Sequence, residues 1–135
     1  MSSPEARPAT GRTVVPEALR AHWPLVVIVG ATLILFAPFA VGQQVFYWGT
    51  PLLQFGPWRE YGFKAMLAGE PPLWNPLVGA GAPLLANYQS ALLYPPNWLG
   101  LILPLDLAHN WLLICHVALT GVGMAALTRR LGYAP

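Results

Sequence analysis

Charge is what this sequence has least of. Asp, Glu, Lys and Arg make up 9% of its 135 residues, against about 25% in a typical soluble domain. Hydrophobic residues reach 56%. So few charges cannot clothe a globular surface in water, and the shortfall points to a chain partly covered by lipid. The net charge is +2 and the basic residues are scattered, which excludes a nucleic-acid patch. Cysteine is almost absent. Cys115 stands alone in an apolar run, so a disulfide framework is excluded and a small core side chain is the simplest reading. Catalytic signatures are missing too. There is no P-loop, no G-x-S-x-G, no His/Cys zinc pattern and no N-x-[ST] sequon. Beyond the first 22 residues the acids are Glu60, Glu70 and Asp106, each single.

What is there begins with two apolar runs. Residues 25–41, LVVIVGATLILFAPFAV, are apolar apart from Thr32. As a helix this run rises roughly 26 Å, close to the ~30 Å of a bilayer's hydrocarbon core. Trp23 before it and Phe46 to Trp48 after it supply the aromatic residues favoured at the interface. Pro38 predicts a bend or stop near the exit. The tail, residues 1–22, is small, polar and proline-dotted, with a short helix expected from Pro16 to His22. Its length, and that of the apolar run, argue against a cleaved signal peptide.

The second run, DLAHNWLLICHVALTGVGMAAL from Asp106, places a span at residues 106–128. Asp106 after Pro104 suits an N-cap, and Arg129 and Arg130 follow the apolar stretch. Ala118, Gly121 and Ala125 form a small-residue strip that suits helix packing. His109 and His116, seven apart, share one helical face. An ionisable residue in a spanning helix is a functional hypothesis by default, but two such His make a poor metal site, and no metal ligand set is assigned. Asn110 suits a bond to a neighbouring helix.

The fold class these runs predict is an all-α membrane protein. Transmembrane helices at 23–41 and 106–128 are joined by a long loop, 42–105, with short interfacial helices. Arg12 and Arg20 precede the first span, and Arg129 and Arg130 follow the second. The positive-inside rule then puts both termini in the cytoplasm and the loop outside.

From Pro71 to Leu105 the loop has no charged residue and no His. Proline and glycine break it too often for a long helix. Ahead of it, PWREYGFKAMLA predicts a helix over 57–68, with Pro57 in the first turn, Gly69 past the end and Glu60 four residues before Lys64. That helix either lies flat on the membrane or packs on the rest of the protein. Further short helices are expected over 83–94 and 96–103. A neutral, Trp- and Tyr-bearing segment fits the interface, where an unpaired charge is costly and mixed aromatic side chains are favoured. Its polar side chains include Asn75, Asn87, Gln89, Ser90 and Asn97, set near Trp74 and Trp98. Asn and Gln both donate and accept, which suits sugar hydroxyls, and glycines at 79 and 81 let backbone approach a ligand. The same amides equally suit turn caps around Pro76, Pro83 and Pro95.

The stretch GEPPLWNPLVGAGAPLLANYQSALLYPPNWLGLILP, residues 69–104, resembles the first external loop of bacterial YfhO-type membrane proteins, multi-pass relatives of the GT-C glycosyltransferases. FYWGTPLLQFGPWREY from Phe46 is similar to that family's lead-in, and GMAALTRRLG from Gly123 fits the end of its next span. The resemblance covers about residues 46 to 132. Its specificity lies in the succession PLWNP, G-x-P-L-L-A-N-x-Q and YPPN.

The resemblance implies the start of a GT-C-like fold in a bacterial inner membrane. It implies transfer of a sugar from a polyprenyl-phosphate donor on the outer face. The positions that match, and so imply substrate contacts, are Gln54, Trp74, Asn75, Asn87 and Gln89. The family pattern expects an acid just ahead of P-x-x-Q-F, as base or metal holder. Here Thr50 stands in that place, which leaves no catalytic residue assigned and Glu60 as the remaining candidate. No cofactor is identifiable from the residues, and the resemblance allows a divalent metal. Family members are much longer. The chain is therefore expected to be an N-terminal portion, inactive alone, packed against further transmembrane helices of a full protein or a partner subunit. The alternatives are a non-catalytic two-span accessory or structural subunit, and part of a lipid-carrier flippase.

Overall fold

The computed structural model describes residues 17–46 and 49–133. Most of the expected tail lies outside them, as do Tyr47 and Trp48. The described chain is mostly helical.

Helix α1 runs from Glu17 to Leu35. The end of the tail and most of the first apolar run thus form one helix. It stops at Phe36, whose backbone leaves helical geometry (φ −101°, ψ 16°). The cause is Pro38, which has no N–H to offer the carbonyl of Ile34. A four-residue helix α2, Ala37–Ala40, follows. Gly42, at φ 76°, takes the left-handed turn that reverses the chain. Phe46 then returns to stack on Phe39, with ring centroids 3.7 Å apart, and meets Phe36 edge-on at 5.6 Å.

Helix α4 spans Leu105–Arg130. Pro104, not Asp106, holds its N-cap position, and no side chain caps it. Asp106 sits inside the first turn, while Arg129 and Arg130 occupy the last. Both placements complement the helix dipole. Helix α4 is long and apolar enough to cross a membrane, and the apolar part of α1, His22–Leu35, is shorter.

The two helices are antiparallel neighbours. Asn110 bonds Phe39 near the end of the first helical segment. Eleven residues on, Gly121 faces Ile28, eleven residues back: a Cβ at Gly121 would meet Ile28 Cγ2 at 2.6 Å. Gly121, at the centre of the small-residue strip, therefore lies where α1 packs on α4, and its missing side chain sets how closely the helices approach there.

The connection has its own small core. A π-helical turn, Pro51–Phe55, leads into α3, Gly56–Leu67. Phe63 of α3 is buried with Leu84 and Leu92, and Trp58, Tyr61 and Met66 pack around them. Gly62 makes room for Leu92, whose Cδ1 lies 2.6 Å from where a Cβ would be. The apolar side of α3 is thus spent on its own loop rather than on lipid.

Beyond α3 the chain folds back on itself. Two short strands, β1 (Trp74–Asn75) and β2 (Ala82–Pro83), pair antiparallel, Trp74 opposite Pro83 and Asn75 opposite Ala82. The helix expected over 83–94 does not form, and only a 3-10 turn, Tyr88–Ser90, appears there. Two local effects stop it. The Asn87 side chain captures the Gln89 N–H, and Ala91 adopts a left-handed φ of 50°. The next expected helix is a 3-10 helix, Pro95–Leu101. The contacts of this helix with α3 and α4 bind the loop to the start of the long helix.

Candidate functional site

Neutral loop segments still carry backbone N–H and C=O groups that need partners. This loop's polar side chains supply them. Asn75 is buried, and its Oδ1 accepts the Leu77 N–H at 2.9 Å. Asn87 Oδ1 accepts the Gln89 N–H at 3.1 Å. The Ser90 hydroxyl shares its one proton between the carbonyls of Leu84 and Asn87, at 3.0 and 2.8 Å. Trp98 Nε1 donates to the Leu92 carbonyl at 2.8 Å.

The residues singled out by resemblance therefore fall into separate settings. Trp74 and Asn75 stand together on β1. Trp74 is about half exposed, and its indole covers Gly81, where an added Cβ would lie 2.7 Å from Cε2. Gly81 also has φ 98°, so glycine is required there twice over. Asn87 and Gln89 share one turn, with the Gln89 side chain exposed. Gln54 lies half-buried on the π-helical turn, and Thr50 is exposed just before it. Glu60 accepts from Lys64 Nζ at 2.7 Å on the outer side of α3.

A different group of residues lines a partly enclosed recess between elements of the loop and α4. It lies between α3, the Pro95–Leu101 helix and the first turns of α4, with a volume of about 20 Å³. Arg59, Asn97 and His109 are its polar walls, and Phe63, Ala108 and Leu112 are among its apolar ones. Arg59 is half-buried, which lowers its pKa, yet a guanidinium stays charged in any protein setting. Its Nε donates to the Ser90 carbonyl at 3.2 Å, and its guanidinium lies 5.9 Å from the Phe55 ring centre. Among the described residues the ion pair is Lys64–Glu60, so no carboxylate neutralises Arg59.

Sequence reading named His109 on the span and Asn97 among the loop's polar side chains, but gave Arg59 no role. One signal was present. Lys64 has an acid four residues before it, whereas Arg59 has none three or four residues away on either side. His109 and His116 share a helical face yet serve different partners. His116 Nδ1 donates to the Leu112 carbonyl at 2.6 Å, and the Tyr94 hydroxyl donates to Nε2 at 2.7 Å. These bonds fix the tautomer and tie the loop to the middle of α4.

The donor set does not fit the divalent metal that the resemblance allows. Among the described residues no three of His, Cys, Asp or Glu cluster, and Glu60 is engaged with Lys64. Comparison with family models, with curated proteins and with solved structures finds no match to this chain.

Proposed function

We propose that this chain is a membrane module, a helical hairpin that crosses the bilayer twice and carries a folded, neutral loop on the outer surface. We propose further that it belongs to the YfhO-type, GT-C-like class and forms part of a transferase that takes a sugar from a lipid-linked donor. On this reading the loop contributes substrate-side surface, with Trp74 and Gln89 as its exposed contacts, and the catalytic acid comes from elsewhere.

One observation carries the membrane part. The most apolar 18-residue window of α4 is only 6% buried inside the protein. On α1, Val26 and Ile34 are likewise 68% and 79% exposed. At about 25 cal/mol per Å² of apolar surface, leaving two such helices in water is strongly unfavourable, and lipid or further helices must cover them. Helices α1 and α2 together reach from His22 to Ala40, about the length a bilayer needs despite the break at Phe36. The sugar part rests on the motif succession and on Trp74 and Gln89 remaining uncommitted.

The test has two arms. A Cys115→Ala, Ala80→Cys chain, with the probe on an exposed residue, is treated in intact cells with a membrane-impermeant maleimide. Labelling at residue 80, with the chain retained in membranes after carbonate washing, is the expected result. A chain released by carbonate overturns the reading. In a complete transferase containing this module, Trp74→Ala and Gln89→Ala lower sugar transfer while expression stays normal. A second reading, a non-catalytic accessory subunit, is favoured by the turn-capping use of Asn75 and Asn87. It predicts unchanged transfer in those variants.

A further inference from the structure

We propose that the recess between α3, the Pro95–Leu101 helix and α4 is a seat for a single neutral O–H group, which donates to Asn97 Oδ1 and accepts from Arg59 or His109. The inference does not depend on the chain taking part in sugar transfer.

Asn97 is 5% exposed. Its Oδ1 is the buried side-chain polar atom that lacks a partner among the described residues. Turning the amide over would not help, because Nδ2 is committed to the Ala91 carbonyl at 2.8 Å. A buried acceptor left unpaired is costly, so an unmet acceptor on a residue that lines a recess calls for a donor. Arg59 and His109 line the same recess and hydrogen-bond to neither of the Asn97 side-chain polar atoms. Between these walls the volume is about 20 Å³. That is enough for one water-sized oxygen, which requires roughly 10–15 Å³. Phe63, Ala108 and Leu112 line the rest of the recess, so its polar partners gather at Arg59, Asn97 and His109.

Charge and hydrogen-bond sense select which group. A carboxylate or fully ionised phosphate has no proton to give Asn97 Oδ1. A cation would sit against Arg59, whose charge no carboxylate among the described residues offsets. A hydroxyl oxygen donates one bond and accepts others, and matches both walls. Two sources supply that chemistry: a fixed water, or the hydroxyl of a polyol such as a sugar headgroup reaching in from the membrane surface.

The experiment uses the full chain, isotope-labelled, in dodecylphosphocholine micelles, whose headgroup carries no hydroxyl. Magnetisation transfer from water is read at the Asn97 side-chain NH₂, and methyl β-D-glucopyranoside is then titrated in. The expected result is a cross-peak of the sign given by long-lived water. It is lost in Ala108→Val, which fills the recess from an apolar wall. If glucoside removes the cross-peak and shifts the Asn97 resonances, the occupant is a polyol hydroxyl. If the peak persists, the occupant is water. Either result supports the seat. A folded wild-type chain with no cross-peak and no glucoside-induced shift overturns it, and that spectrum decides even where a variant does not fold.

Discussion

Asn110 and Phe46 stand 64 positions apart in the chain, yet Asn110 Oδ1 accepts the Phe46 N–H at 3.1 Å. The same amide donates through Nδ2 to the carbonyls of Phe39 and Gln44, at 2.9 and 2.7 Å. A helix that stops inside an apolar setting leaves backbone groups without partners. One fully buried side chain on α4 supplies three of them.

Asn110→Leu removes all three bonds and leaves three part-buried backbone groups without this partner. At about 1–3 kcal/mol per unsatisfied group, partly relieved by relaxation, the loss is about 3 kcal/mol. Unfolding of the micelle-embedded protein by heat or by a denaturing detergent measures it. A loss below ~1 kcal/mol would show that the turn does not depend on this clamp.

Gly121→Leu drives a side chain into Ile28, which stands 2.6 Å from the Cβ position. Overpacking of this kind costs about 1–3 kcal/mol. Ile28→Ala opens the same space, so the double variant is expected to recover part of the loss, with a coupling of about 1 kcal/mol. Purely additive effects would mean that the two residues do not meet.

Among the loop amides, effects on folding are expected to follow hydrogen bonding. Asn87→Ala removes a cap worth about 1 kcal/mol. Asn75→Ala costs more, because Asn75 is buried and leaves the Leu77 N–H without its acceptor. Gln89→Ala, on an exposed side chain, stays within about 0.5 kcal/mol. In transfer assays Gln89 is therefore the clean probe, since changes at Asn75 and Asn87, and loss of the Trp74 ring from Gly81, also loosen the loop.

Glu60→Gln breaks the Lys64 pair, whose side chains are 58% and 73% exposed respectively. Exposed i,i+4 pairs contribute about 0.3–0.5 kcal/mol, so the unfolding midpoint moves little, and less still in high salt. A large loss of transfer without a loss of stability would restore Glu60 as the catalytic candidate.

The helices were legible because their signals are local. Two apolar runs, Pro38, Pro57 with Gly69, and terminal arginines mark where helices start and stop, and α1, α3 and α4 lie close to those marks. The segment from residue 83 to 94 was misread as helix because its composition allows one. What decides against it is the Asn87 side chain taking the Gln89 N–H and the left-handed turn at Ala91, and neither shows as periodicity. Asn110 could be read as a helix bonder, but its partners on the returning chain could not.

Composition alone points to more apolar surface than this chain's few charges can cover, since the shortage of charge is a property of the residues and not of their arrangement. The grouping of Arg59, Asn97 and His109 belongs to the tertiary structure. Residues 38 and 12 positions apart meet only because Gly62 admits Leu92, the loop closes on Phe63, and that closure brings the Pro95–Leu101 helix against the start of α4. Burial is what turns an ordinary asparagine carbonyl into an unmet acceptor, and burial is decided by packing.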